Sequence, residues 1–162
     1  MMEGVKLDEE LEDVPFFIEP IESFRAWRVL EHPKRGLMLR SITHKVGWPH
    51  RKPMIAHCLH QLKPTWNEKP HTAPNVLHRC GIYSVKTMED ALRWGQASPN
   101  ICWGKVAIWG HVLRYKLGYI SEYAYPRGPL QLKIDPKFGN HGEVAHELEK
   151  LYGVKFEPLS VE

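Results

Sequence analysis

Apolar and polar positions alternate with a period of two in several separate segments of this chain, and the pattern turns helical in two others. The segment FRAWRVLE (24–31) sets Phe24, Ala26, Trp27 and Val29 among Arg25 and Arg28 and predicts a first strand. After a Pro33–Gly36 turn, LMLRSIT (37–43) predicts its hairpin partner. GIYSVK (81–86) predicts a short buried strand, and LQLKI (130–134) and the terminal VKFEPL predict two more. The strongest signal is GKVAIWGHVLRY (104–115), then a Gly118 turn and YISEYAY (119–125): a long, bent hairpin, with Gly110 placed mid-strand where it permits a bulge.

Two segments carry helix signals. Thr87 is a predicted N-cap, with Glu89 and Asp90 in the first turn and Ala91, Leu92 and Trp94 facing inward. EVAHELEKLY (143–152) places Val144, Leu148 and Leu151 on one face and Gly153 at the position after its end. Between the strand signals, residues 44–80 form a long His/Cys/Pro-rich loop, a length that in a compact domain implies function or a clamp. Residues 1–22 predict an acidic, poorly ordered arm ahead of a single domain at 23–162. The predicted order β-β-loop-β-α-β-β-β-α-β defines an α+β fold. Its centre is a small, strongly bent mixed or antiparallel sheet, a partial barrel, with two helices and a zinc-stapled loop.

The net charge of +3 conceals an asymmetry that changes this picture. Residues 1–24 sum to −7, residues 25–142 to +13 and residues 143–162 to −3. So basic a body predicts a polyanion-facing surface, which the acidic end can mask. No apolar run is long enough to span a bilayer, and the acidic start lacks the features of an export signal, so a cytoplasmic location is expected.

Candidate chemistry concentrates in the loop. Cys58, His71, His78 and Cys80 read Cys-x12-His-x6-His-x-Cys, and two thiols with two imidazoles complete a tetrahedral structural Zn²⁺ shell; His57 and His60 are the nearest competitors as ligands. Trp48 lies beside Lys45, Arg51 and Lys52, an interleaving of ring and cation that suits base stacking along a phosphate track. Arg25, Arg28, Arg79 and Arg127 are the expected outer phosphate contacts. These features predict a zinc-stabilised, non-enzymatic module that binds DNA or RNA.

The blocks FRAWRV, Trp48–Pro49, AHC, HTAP, HRCGIYSVK and GKVAIWGHV…GYISEYAYP resemble a family of small bacterial and phage proteins of uncharacterised function. That family's centre runs Ala-x-Cys, His-x-Ala-Pro, Cys-x-Cys-Gly-Ile-Tyr. The resemblance implies a phage or mobile-element origin and puts Cys58, His71 and Cys80 on the family's Cys, His and second Cys. His78 stands at its first Cys, which exchanges one zinc ligand for another. CGIYSVKTMEDALRW and SEYAY are more weakly similar to ADP-ribosyltransferase-type domains. That similarity implies an NAD-consuming alternative: Tyr83 stacking on nicotinamide, Glu122 holding the ribose hydroxyl, and Ser41 with Arg25 or Arg28 as NAD contacts. A further alternative is a phage-encoded adaptor whose acidic arm, at 8–13, engages a host protein.

Overall fold

The alternation is answered by one eight-stranded sheet and two helices. The computed structural model describes residues 9–15, 19–58, 73–75 and 79–159. In chain order the elements are β1 (Glu12–Asp13), β2 (Ile21–His32), β3 (Gly36–Arg40), β4 (Met54–Ile55), β5 (Ile82–Val85), α1 (Met88–Gly95), β6 (Ile101–Arg114), β7 (Gly118–Lys133), α2 (His141–Tyr152) and β8 (Phe156–Pro158). All pairings are antiparallel except β7 with β8, so the sheet is mixed. β6 pairs with both β2 and β7, and β5 joins β2 to β7, so the path β6–β2–β5–β7 returns to β6 as a ring.

The bend of the β6–β7 hairpin comes from two local features. Gly110 adopts φ +79°, and the register shifts between Trp109 and Val112, the bulge that a mid-strand glycine permits. At the hairpin turn Gly118 lies so close to β5 that a Cβ would stand 1.9 Å from the Ser84 carbonyl oxygen. Only glycine allows β5 and β7 to meet there. Both helices start and stop on ordinary capping chemistry. Thr87 Oγ1 accepts from Asp90 N (3.2 Å), and Asn140 Oδ1 accepts from Glu143 N (3.1 Å). Gly153 ends α2 in the left-handed region, its N–H donating to the Glu149 carbonyl.

α2 covers the core that joins Trp27, Val29, Leu39, Trp48, Val106, Leu130 and Leu132 to Val144, Leu148 and Tyr152. α1 covers the other side, over Ala26, Ile101 and Trp103. Three elements depart from expectation. β1 orders the acidic arm against β6, β4 arises inside the long loop by pairing with β7, and β7 runs unbroken through Pro126 and Pro129 where two strands are predicted. Each departure depends on a distant partner strand, which local periodicity does not report.

The ring has one weak seam. One edge of β2 pairs with β5 only at Phe24–Val85, and with β3 only from Arg28 onward, leaving residues 25–27 without a strand partner on that edge. Arg25 fills the gap. Its guanidinium donates from Nη1 to the Tyr83 carbonyl and from Nη2 to Ser41 Oγ (3.0 Å), lying between the rings of Trp48 (5.0 Å) and Trp94 (4.8 Å). Hydrogen bonds to a charged donor are worth about 1.5–3 kcal/mol each. Arg25→Met should therefore lower unfolding stability by about 3 kcal/mol or more, and Arg25→Lys, without the planar fork, should recover less than half of that. Urea denaturation checks this, and an unchanged midpoint for Arg25→Met would mean that the ring closes without the stitch.

Candidate nucleic-acid interface and thiol pair

The loop that carries the expected metal ligands is anchored at both ends. Ala56 N donates to the Glu122 carbonyl (2.8 Å) beside β4, and Asn75 bridges to Cys80 ahead of β5. These anchors bring Cys58 and Cys80 together, with the Cys80 side chain hydrogen-bonded to Cys58. Cys58 is buried and Cys80 half-buried. Burial, then the neighbouring Cys58, pushes the Cys80 thiol up to about 11, so in the metal-free chain it is neutral at physiological pH. Two adjoining thiols are half of a tetrahedral zinc shell, so this part of the donor set fits. His71, His78 and the competitor His60 lie outside the described residues; His57 is exposed. Among the described residues no group of three or more His, Cys, Asp or Glu converges as a metal site.

The expected nucleic-acid contacts do not share one surface. Arg25 (3% exposed) and Trp48 (1% exposed) are interior, which corrects their assignment as phosphate and base contacts. Burial draws the Arg25 guanidinium down to about 9, yet still leaves it cationic at neutral pH. The Trp48 indole meets Trp27 edge-on at 5.3 Å and donates to Ser41 Oγ (3.2 Å). Arg51 is exposed but occupied: Nε and Nη2 donate to the Lys150 carbonyl at 3.2 and 2.9 Å, capping the C-terminus of α2, and its backbone N donates to the Tyr125 hydroxyl. Arg79 donates from Nη2 to the Glu9 carbonyl (2.7 Å), and Arg127 lies 3.9 Å from Glu22. Lys45 and Lys52 are exposed, and Arg28 is half-buried.

The acidic arm explains much of this neutralisation. Residues 9–14 run along β6 instead of hanging free, with Glu12 2.8 Å from Arg114, Asp13 2.7 Å from His111, and Glu9 Oε1 accepting from Lys116 N. Glu22 then meets Lys105 at 3.2 Å. At the other end of β6, strand register assembles a row absent from the expected set. Arg40 on β3 is the direct partner of Arg28 on β2, Arg28 of Ile101 on β6, and Ile101 of Lys133 on β7. Lys45 lies in the tight loop just after Arg40, closed by a Ser41 N to Val46 O bond and an Arg40–Gly47 bridge. Among the described residues, none of Arg28, Arg40, Lys45 and Lys133 enters an ion pair. Arg40 and Lys133 are the residues that sequence reasoning missed, because only the register reveals that they line up with Arg28.

The residues of the NAD-consuming alternative divide differently. Arg25 and Ser41 are hydrogen-bonded to each other, and Arg25 to the Tyr83 carbonyl. The Tyr83 side chain is buried against Tyr115, its hydroxyl donating to the Arg79 carbonyl (2.5 Å), and burial raises its pKa to about 12. These groups act in the seam of the sheet. Glu122 is half-buried, and its Oε1 accepts from His111 N (3.0 Å) at the β6 bulge. The outward-facing aromatic pair is Trp109 with Tyr123, stacked at 5.9 Å beside exposed Ile55; it adjoins Glu122 and the Asp13–His111 pair, away from the unpaired cations. No helix among the described residues is long and apolar enough to cross a membrane.

No protein-family model matches the sequence, and neither curated proteins nor solved structures match it. The reading of the site therefore rests on its own geometry. For the thiol pair the expected outcome is close to one zinc per purified chain by elemental analysis. Chelation should lower the melting temperature of the native protein and not that of Cys80→Ser, because metal binding and folding free energy are shared in such sites. A chain that contains no zinc and melts identically with and without chelator contradicts the assignment.

Proposed function

We propose that the chain is a zinc-stabilised nucleic-acid-binding module whose phosphate-facing surface is the α1 side of the sheet, around Arg28, Arg40, Lys45 and Lys133. One juxtaposition carries the reading. Arg93, Lys105, Arg114, Arg127 and Lys155 are each answered by a carboxylate and Arg51 by a helix terminus, while exposed Lys34, Lys52, Lys116 and Lys137 stand singly. Arg28 and Arg40 differ from both groups: they enter no ion pair among the described residues and stand directly opposite each other across an antiparallel pair. Like charges at such a position are destabilising, so leaving them without a carboxylate makes physical sense where an external anion supplies the counter-charge. Cys58 and Cys80, with His71 and His78 as the further expected ligands, would hold zinc as a purely structural ion, since four protein donors leave no open coordination position. A phage or mobile-element origin accords with a small accessory protein of this kind.

Each phosphate neutralised releases condensed counterions, so affinity should fall steeply with salt. Fluorescence anisotropy with labelled single- and double-stranded oligonucleotides measures that slope. Arg28→Gln and Lys133→Gln should each weaken binding to all sequences and lower the salt slope by about one. Lys105→Gln and Arg93→Gln, whose charges are already neutralised, should leave the slope unchanged. Micromolar protein that retains no oligonucleotide at low salt would refute the reading.

A further inference from the structure

Arg28 and Arg40 are more than two members of a basic surface. They are Cα partners on neighbouring strands, which places their side chains on one face about 5 Å apart at the backbone. The position is enclosed on two sides. At the end of α1, a Cβ on Gly95 would meet Ala26 Cβ at 2.8 Å and lie 3.7–3.8 Å from Ile101 and Ile42, so the helix lies directly on the sheet beside Arg28. On the β3 side, the chain turns back at once, with Gly47 bridged to Arg40. Arg40 Nε is enclosed and has no hydrogen-bond partner. An unsatisfied donor on a charged group is costly, and an anion that draws the guanidinium toward Arg28 satisfies it.

We propose that Arg28 and Arg40 form a binding site for a single phosphomonoester, and that its occupant is the phosphorylated end of a nucleic-acid strand. This rests on the reading of the α1 side as a phosphate-facing surface. The charge argues for an end over an interior link. Two guanidiniums present two positive charges, and a phosphomonoester carries about −1.5 to −2 near neutral pH. A backbone diester carries a single charge and would leave the pair half-compensated. The enclosure argues the same way: α1 lies over Ile101 on one side of the pair and the 41–47 turn closes the other, whereas a strand passing through needs both an entrance and an exit. Beyond that terminal phosphate the exposed Lys45, in the turn just after Arg40, is the adjoining cation. Arginine suits the first contact because its planar fork can meet phosphate oxygens in pairs, while lysine offers a point charge for the second.

The test compares one short single-stranded oligonucleotide in three forms: 5′-phosphorylated, 3′-phosphorylated and with hydroxyls at both ends. At least one phosphorylated form should bind the full-length protein about ten-fold tighter than the hydroxyl form, the scale of one added charge-assisted contact. Arg40→Gln and the charge-retaining Arg40→Lys should both abolish that preference, lowering affinity for the phosphorylated form more than for the hydroxyl form, with circular dichroism and melting confirming the fold. Inorganic phosphate should raise the melting temperature of the native protein and not of Arg40→Gln. Equal affinity for all three forms, or a preference that survives Arg40→Gln, overturns this inference and leaves general backbone binding in place. Failure of every form to bind, with no response to inorganic phosphate, overturns both.

Discussion

The closure of the ring depends on a cation buried where the strands fail to meet. β2 must serve β5 with its first part and β3 with its last, and the two partners cannot both reach residues 25–27. A backbone carbonyl and a serine hydroxyl are left at the edge of that gap, in a core that water does not enter. Arg25 answers both with one rigid, planar group, and the faces of Trp48 and Trp94 supply the electron-rich surroundings that a guanidinium without a carboxylate needs. The same contact fixes the end of β3, because Ser41 also accepts from the Trp48 indole. Trp48 in turn is tied to α2, its carbonyl accepting from the Tyr152 hydroxyl at 2.8 Å, while that hydroxyl accepts from Leu39 N. A single side chain thereby connects the seam of the sheet, its β3 edge and the covering helix.

Charge follows from the same architecture. The first part of the chain carries most of the acid and lies along the far end of β6, so Glu9, Glu12, Asp13 and Glu22 neutralise the groups nearest to it. Arg28 and Lys133 lie toward the other end of β6, near Ile101, and keep their charge uncompensated among the described residues. A modest net charge of +3 therefore hides carboxylates gathered along one end of β6 and a row of cations, Arg40, Arg28 and Lys133, aligned by register at the other. Part of the acidic arm is thus a structural strand along β6.

What the sequence made legible is what local pattern controls. The alternation of β2, β6 and the first half of β7, the glycine-bearing bulge, the cap at Thr87 and the Gly153 stop all depend on neighbours within a few residues. The misreadings share one cause. Arg25 and Trp48 look like surface groups because Arg is rarely buried without a carboxylate, and nothing local announces that a seam two strands wide requires one. Arg51 reads as a free cation until Gly153 ends α2 next to it. β1 and β4, two residues each, exist only because β6 and β7 extend beyond their longer partners and offer open edges. The Arg40–Arg28–Lys133 row is invisible for the same reason, since it is a property of register and of no single segment.

The thiol pair and the arginine pair sit on different elements, and this separation bears on how the module works. Cys58 and Cys80 belong to the β4–β5 connection, held against β7 through Ala56 and Ile82. Arg28 and Arg40 belong to the β2–β3 hairpin, held by α1 and β6. The two regions communicate through the seam, where β5 and β3 meet at Arg25. On the proposed function, a metal that tightened the β4–β5 connection would steady β5, hence the Tyr83 carbonyl, hence the guanidinium that also holds Ser41, one residue beyond Arg40. Zinc held there would act on the proposed phosphate surface through that chain of contacts, by order and not by charge. It would leave recognition to the arginines and stabilise the frame that keeps them opposite each other.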